Sequence, residues 1–259
     1  MLQEERILRI GSLIAKYGRV STERIARDLG VSRETVRRDI LQIEALGQLR
    51  RVHGGVAATH PEPEEPVSVR ARTNIKEKRA IARAALKLLQ PGQTVFLDAG
   101  STTTIMAEEL ASMSGLTLIT NGLNVALKLA AANEPGGAPR NTTILLGGQL
   151  DASLHATYGE DTVNEIHRFR ADLALLSPVG LSARQGATSF EHREAAVARA
   201  MAQQAQMLVI LADHSKMGLS SRVSYAKAAA IKVIVTNARS RNLPAFDELA
   251  RSVKRVLIG

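Results

Sequence analysis

The chain has no cysteine and no tryptophan, and only four Phe and three Tyr among 259 residues. Without cysteine there is no disulfide, no thiol nucleophile and no thiolate metal site. The six histidines are scattered without metal-ligand spacing. Neither a bound metal nor an organic cofactor is therefore expected. So few rings make stacking on single-stranded bases a poor account of the +9 net charge. No apolar run approaches the ~20 residues that cross a bilayer. The start, Met-Leu-Gln-Glu-Glu-Arg, has no hydrophobic signal-peptide region. A cytoplasmic protein without a membrane partner is expected.

What is present is a basic balance concentrated at one end. Residues 1–57 carry 11 Lys/Arg against 7 Asp/Glu, a net +4, while the other 202 residues carry 23 against 18, a net +5. Charge per residue is thus higher at the N-terminus, as for a small nucleic-acid-binding head on a nearly balanced body.

Within that head, Val31-Ser32-Arg33-Glu34-Thr35-Val36-Arg37-Arg38-Asp39-Ile40 reads as a helix. Ser32 is placed to cap it, and Val31 and Val36 have the spacing of a hydrophobic staple. Val36, Ile40 and Ile43 form a narrow apolar stripe, and Glu34, Arg37, Arg38 and Leu41 lie opposite. Just upstream, Ser21 caps a shorter helix with Ile25, Ala26 and Leu29 on one side, and Gly30 ends it. Two short helices across a tight turn, the second basic and exposed, predict a helix-turn-helix. Glu5 to Tyr17, with Ile7, Ile10 and Ile14 on one side, predicts the third helix. After Gly47, the run Gln48 to Val56 predicts a small β wing around a Gly-Gly turn. Arg50, Arg51 and His53 there are candidates for the phosphate backbone or minor groove.

The runs VSRETVRRDI and LGQLRRVHGGV resemble the N-terminal signature of the DeoR family of bacterial transcriptional regulators, winged helix-turn-helix repressors of sugar and nucleoside catabolism. The resemblance implies a double-stranded operator as partner, with Ser32, Thr35, Arg37 and Arg38 among the DNA contacts, and Arg33 joins that candidate set.

Residues 58–74, with Pro61, Glu62, Pro63, Glu64, Glu65 and Pro66, predict a linker. From residue 75 to 259, short apolar runs alternate with helical segments. Strands are expected at Thr94–Leu97, Thr117–Thr120, Thr143–Leu146, Ala171–Leu176, Leu208–Ala212 and Lys232–Val235. Helices are expected at Arg79–Leu89, Ile105–Leu110 and Val125–Ala132. The class is α/β: a mostly parallel sheet flanked by helices.

In such sheets ligands bind beyond the carboxyl ends of strands. Asp98-Ala99-Gly100-Ser101-Thr102-Thr103-Thr104 follows the first strand and combines a close-approach Gly, a helix N-terminus and hydroxyls, which suits a phosphate. The same residues also fit a plain helix cap. Asn121-Gly122, Gly147-Gly148 and Asp213 to Gly218 follow other strands, and each alone also reads as a turn. The resemblance extends over this body, which is similar to ribose-5-phosphate isomerase and related sugar-phosphate enzymes. It implies a phosphorylated sugar effector held by Asp98, Gly100, Ser101, Thr102, Thr103, Asn121 and Lys216. Gly147 and Gly148 join that candidate set.

One departure stands out. Where the family has a Gly-Ala-Asp-Gly type run, this chain has Ser177-Pro178-Val179-Gly180. The carboxylate expected near the sugar is missing there; Glu191, His192 and Arg193 are candidate substitutes and fit equally an exposed first turn of the next helix. Proton transfer between sugar carbons needs a positioned base. Asp213-His214-Ser215 are sequence neighbours that cannot form a relay. A repressor without catalytic residues, acting as a homo-oligomer of two or more subunits, is therefore preferred. The alternative is an isomerase or deaminase-like enzyme with an accessory DNA-binding head.

Overall fold

The computed structural model describes residues 2–17, 19–45, 49–52, 55–58, 67–132 and 140–259. The chain divides into two compact units, Met1–Pro63 and Glu64–Gly259.

The first unit runs α1 (Gln3–Tyr17), β1 (Arg19–Ser21), α2 (Thr22–Leu29), α3 (Arg33–Ala45), β2 (Leu49–Val52) and β3 (Gly55–Ala58). Helix α2 starts where the Ser21 hydroxyl accepts the Arg24 N–H at 3.2 Å. It stops at Gly30, whose φ of 65° is left-handed, with the Gly30 and Val31 N–H groups returning to the Arg27 and Ala26 carbonyls. Helix α3 begins likewise, the Ser32 hydroxyl accepting the Thr35 N–H at 3.1 Å. The expected stripe of Val36, Ile40 and Ile43 is buried against Ile10, Ile14, Ile25 and Val56.

Two features of this unit escaped the sequence reading. The wing is a three-stranded antiparallel sheet, order β1-β3-β2, because the three-residue β1 pairs with β3. A side chain at Gly55 would collide with the Val20 carbonyl, so this glycine serves strand packing. Asp39, buried on the inner side of α3, receives Arg6 of α1 in a two-pronged ion pair of 2.7 and 3.0 Å.

The second unit begins with α4 (Val67–Arg70) and α5 (Ile75–Leu86), followed by β4 (Thr94–Leu97), α6 (Ser101–Leu110), β5 (Thr117–Thr120), α7 (Leu123–Ala131) and β6 (Thr142–Leu145). Then come β7 (Gln149–Asp151), β8 (Ala156–Tyr158), α8 (Glu160–Ile166), β9 (Ala171–Leu176), β10 (Gly180–Ser182), β11 (Gly186–Ser189), α9 (His192–Gln203) and β12 (Ala205–Leu211). The chain closes with β13 (Val223–Ala226), β14 (Val233–Thr236), α10 (Pro244–Ser252) and β15 (Arg255–Ile258).

Seven strands form one parallel sheet in the order β15-β14-β12-β9-β4-β5-β6. Side-chain alternation explains its burial on both sides. Val95, Leu97, Leu173 and Val209 face one apolar layer with Ile81, Met106 and Leu129 of α5, α6 and α7. Phe96, Ala174 and Ile210 face a second with Ile166, Met201 and Leu249 of α8, α9 and α10. From β4 the chain builds outward through β5 and β6, and from β9 it builds outward the other way. The topological switch point therefore lies between the carboxyl ends of β4 and β9.

The expected strands are present with small shifts at β6, β12 and β14, and α5, α6 and α7 begin two to four residues before the expected starts. The pairs β7–β8 and β10-β11-β13 were not anticipated, being short and without a long apolar run. The stretch assigned to a linker, 58–74, contains α4, whose Val67 is buried.

Candidate functional site

In the first unit, Ser32, Arg33, Arg37 and Arg38 are exposed and Thr35 is half-buried along α3. The Ser32 and Thr35 hydroxyls bond to each other at 2.8 Å. Arg33 pairs with Glu23 at 2.7 Å, and Arg38 lies 3.9 Å from Glu34 one turn earlier. Arg37 takes part in no ion pair among the described residues, so its charge is the least compensated on this face. In the wing, Arg51 is held by Glu44 of α3 through its guanidinium at 2.7 Å and its N–H at 3.2 Å. Arg50 stands in β2 opposite Ala57. His53 lies outside the described residues.

In the second unit, a cleft open to solvent sits at the switch point. Its floor is Asp98, just past β4. One carboxylate oxygen accepts the Ser177 N–H at 2.7 Å, and the other accepts the Gly100 N–H at 3.1 Å and the Thr103 hydroxyl at 2.8 Å. Burial raises the Asp98 pKa from 3.8 to about 6 against the pull of these three donors, and nearby Glu194 adds to the rise.

The walls come from further elements. Asn121, after β5, is buried, and its amide nitrogen donates to the Thr157 carbonyl at 2.9 Å. The Thr157 N–H returns to the Asn121 carbonyl at 2.9 Å, which brings β8 and Tyr158 to the cleft. Arg193 lies over the Tyr158 ring at 5.4 Å and pairs with Asp151 at 2.5 Å. Burial pushes the Tyr158 hydroxyl pKa up. Glu194, the next residue of α9, lines the cleft and accepts the Ser189 hydroxyl at 2.5 Å. Arg70 of α4 lines the other wall. Buried Lys78 fastens α4 to α6, donating to the Arg70 carbonyl at 2.5 Å and the Ser101 hydroxyl at 3.0 Å.

Residues 6–62 match the DeoR-like helix-turn-helix domain, and residues 73–238 match the DeoR C terminal sensor domain. This chain belongs to the DeoR family. The HTH-type transcriptional repressor GlcR of Bacillus subtilis is 34% identical over 259 residues, covering 100% of this chain and 97% of that protein. The glycerol-3-phosphate regulon repressor of Escherichia coli is 30% identical over 238 residues, covering 92% of each. Among solved structures, ribose 5-phosphate isomerase A of Methanocaldococcus jannaschii aligns with a TM-score of 0.39 at 16% identity, covering 56% of this chain and 55% of that one.

Of the residues the DeoR resemblance nominated for an effector, Asp98, Gly100 and Asn121 meet at the cleft. Ser101, Thr102 and Thr103 are buried and do not line it, and the hydroxyls of Ser101 and Thr103 are engaged by Lys78 and Asp98. Gly147 and Gly148 form the turn from β6 to β7, two strands away from β4. There the Gly147 N–H bonds Glu165 and its carbonyl accepts the Thr162 hydroxyl. Lys216 is in a 3-10 turn, His214–Lys216, beyond β12, and does not line the cleft either. That turn is set by Asp213, which accepts the Ser215 N–H at 2.8 Å and the Asn74 amide at 3.1 Å. For Gly147 and Gly148 the reason is topology: a switch-point crevice is bounded by β4 and β9, while β6 ends two strands out from β4.

Glu191 and His192 are exposed at the start of α9, and Arg193 is committed to Asp151. The carboxylate that joins Asp98 at the cleft is therefore Glu194. Sequence reading stopped one residue short of it because nothing in a helical first turn marks which side chain turns inward. Arg70 and Lys78 were missed for another reason, lying in or beside a stretch whose composition read as linker. Among the described residues no group of His, Asp and Glu could hold a metal ion, and no helix is long and apolar enough to cross a membrane.

Proposed function

We propose that this protein is a cytoplasmic, sequence-specific DNA-binding transcriptional regulator, a repressor of carbohydrate catabolism genes that a phosphorylated sugar releases from DNA. The observation that carries the proposal is the pairing, in one chain, of an exposed basic recognition helix with a polar-lined cleft at the switch point of a parallel sheet. Residues 1–57 act as the head, and Arg33, Arg37, Arg38 and the wing arginines Arg50 and Arg51, with His53, approach the duplex. The body takes the effector between Arg70, Asp98, Gly100 and Asn121. The names of the relatives, a transcriptional repressor and a glycerol-3-phosphate regulon repressor, support a small phosphorylated polyol or sugar as the ligand class.

Two heads held by a symmetric homo-oligomer occupy half-sites one helical turn or a multiple apart. The effector weakens DNA binding by its differential affinity for the arrangement whose head spacing does not match. The experiment is fluorescence anisotropy of labelled DNA from the region upstream of the protein's own gene, at fixed salt, followed by challenge with a panel of sugar phosphates. Tight binding reversed by one compound is the expected result. Binding no tighter than to random DNA overturns the proposal.

A second reading is favoured by Glu194. The base whose absence at Ser177 to Gly180 argued against chemistry is supplied in the cleft by α9. An isomerase would exchange the hydrogen next to the sugar carbonyl with solvent. Incubation of the same panel in D₂O, followed by proton NMR, tests this, and we expect no exchange above the rate without protein.

A further inference from the structure

Seven parallel strands give the second unit two unlike edges. The carboxyl ends hold the cleft, and the amino ends lie together on the opposite edge. Across the neighbouring strands β15-β14-β12-β9, the residues that lead into the sheet on that edge are basic. Arg168 and Arg170 precede β9, Lys232 precedes β14, and Lys254 precedes β15, which itself begins with Arg255. Lys227, just past β13, lines a hollow together with Ala205 and Gln206 at the start of β12. Register keeps the group close, with Ala171 beside Ala205 and Val233 beside Arg255. Neighbouring strands stand about 4.8 Å apart, so the four span roughly 15 Å.

All six side chains are exposed. Among the described residues, none of the six lies within ion-pair distance of a carboxylate. Elsewhere in the same unit Arg79, Arg83, Lys128, Arg193 and Arg239 are each held by one. The acid at these strand starts is Asp172, which is half-buried and accepts the Thr94 N–H at 2.8 Å. Helices α8 and α10 end on this edge, and their carbonyl ends favour a nearby cation. That preference does not account for Lys227 and Lys232, which flank a 3-10 turn. Ordinary protein surfaces interleave both signs of charge, and this edge does not.

Like charges crowded in this way repel one another, and they gain most from a partner with closely spaced negative charge. A small anion meets one or two of them. Duplex DNA carries one charge per about 1.7 Å of its axis, enough to face all six, and its binding releases counterions. DNA held by the head is also at a raised local concentration around the body of the same chain.

We propose that the amino edge of the sheet is a second, sequence-independent DNA-binding surface, on which Arg168, Arg170, Lys227, Lys232, Lys254 and Arg255 contact the phosphates of duplex lying outside the operator half-sites. The inference rests on the reading of the head as a DNA-binding domain. It gives the body a part in holding DNA besides sensing the effector, and it makes affinity depend on the length of flanking DNA.

The test is fluorescence anisotropy of the full-length protein on two labelled duplexes at a series of salt concentrations. One is the shortest duplex from the region upstream of the protein's own gene that is bound in preference to random DNA. The other is the same sequence extended on both sides by several helical turns of arbitrary sequence. The slope of log affinity against log salt counts phosphate contacts, and unlike affinity it does not grow with the number of places to bind. The extended duplex should give a slope steeper by about two contacts or more. Lys232→Glu with Lys254→Glu should return that slope to the short-duplex value and leave binding of the short duplex as it was. The matched control is Lys76→Glu with Arg241→Glu, equally exposed but on the cleft edge, where α5 starts beside Asp213 and Arg241 follows β14. It makes the same change in net charge and should keep the steep slope.

Equal slopes of the native protein on the two duplexes overturn the inference and leave the head reading intact. A slope lowered as much by the control assigns the effect to net charge and overturns the surface. If the patch variant melts at a lower temperature and keeps the steep slope, the cations serve the helix ends or an acidic protein, and the inference falls. If no duplex is preferred to random DNA, the reading of the head falls, and the same slopes on random duplexes of two lengths still decide for or against the surface.

Discussion

The Asp98 carboxylate accepts the Ser177 N–H at 2.7 Å and so joins the carboxyl ends of β4 and β9, the two strands from which the sheet grows in opposite directions. Both oxygens are occupied by donors from the chain itself. Asp98 is thus a brace beneath the cleft that fixes the separation of its two sides. Gly100 belongs to the same arrangement, since a Cβ there would stand 2.8 Å from that of Ser177.

This brace should show in the pH dependence of stability. The Asp98 pKa is raised by burial from 3.8 to about 6, so between these values the folded protein holds a proton that the unfolded chain has released. The stability associated with protonated Asp98 is fully present below pH ~4 and is lost as pH rises through about 6, by about 3 kcal/mol. Asp98→Asn removes this titration. In urea unfolding at several pH values, the native protein should lose stability relative to Asp98→Asn between pH 4 and 6. A constant difference across that range would place the Asp98 pKa at its ordinary value.

The two-domain plan, the parallel sheet and the helix-turn-helix were legible because they rest on local signals that repeat. Ser21, Gly30 and Ser32 punctuate α2 and α3 as their types require, and runs such as Ala171–Leu176 have the length and nearly continuous apolar character of a strand buried on both faces. The cleft was only half legible. Strand ends can be counted from sequence, but which of them converge depends on strand order, and that order separates Gly147 and Lys216 from Asp98. Glu194, Arg70 and the Arg6–Asp39 pair depend on tertiary contacts between distant segments, to which periodicity is blind.

The loop between β7 and β8 should be held by Asp151. Its pKa is lowered from 3.8 to about 2, chiefly by the Ser153 hydroxyl at 2.6 Å, then by the Leu154 and Ser153 N–H groups, with Arg193 adding to the effect. The stabilisation is present above pH ~4 and is lost as pH falls toward about 2. Asp151→Ala should speed hydrogen exchange of the Ser153 and Leu154 amides by about tenfold or more at pH 7. Because Leu154 and Tyr158 line the cleft, ligand affinity should fall and DNA affinity should not. Unchanged exchange would show that the loop is held by other contacts.

Gly148 should matter for folding and not for ligand choice. Its φ of 129° is one that side chains rarely adopt, and a Cβ would strike the Thr162 hydroxyl. Gly148→Ala should destabilise the protein by about 1–3 kcal/mol, read as a lower urea midpoint. The ranking of sugar phosphates by affinity should stay the same. A changed ranking would return this turn to the ligand site.

The arginines of the head should separate into two kinds. Arg37 has no ion-pair partner on α3, and Arg37→Ala should cost about 1–3 kcal/mol on the operator and less on random DNA if it reads a base edge. Arg51 is already engaged by Glu44 at 2.7 Å. Glu44→Gln keeps an oxygen for the Arg51 N–H and removes the competing charge. Binding to all DNA sequences should then tighten, and the salt dependence should steepen by about one phosphate contact. An unchanged salt slope would place Arg51 away from the backbone.

Ser32 is both a helix cap and a candidate DNA contact, and two substitutions divide these roles. Its hydroxyl accepts the Thr35 N–H at 3.1 Å and shares a bond of 2.8 Å with the Thr35 hydroxyl while remaining exposed. Ser32→Ala removes the cap and should lower the stability of the head by about 1 kcal/mol. Ser32→Asp keeps an acceptor at the same place, and its charge suits the helix N-terminus, so stability should be retained. That charge would repel a phosphate oxygen lying against Ser32, and DNA affinity should fall by about tenfold or more for every sequence. Anisotropy on operator and random DNA, paired with thermal melts of both variants, reads the two effects separately. If Ser32→Asp binds DNA as the native protein does, Ser32 is a cap alone, and the duplex contacts of α3 start at Arg33 or beyond.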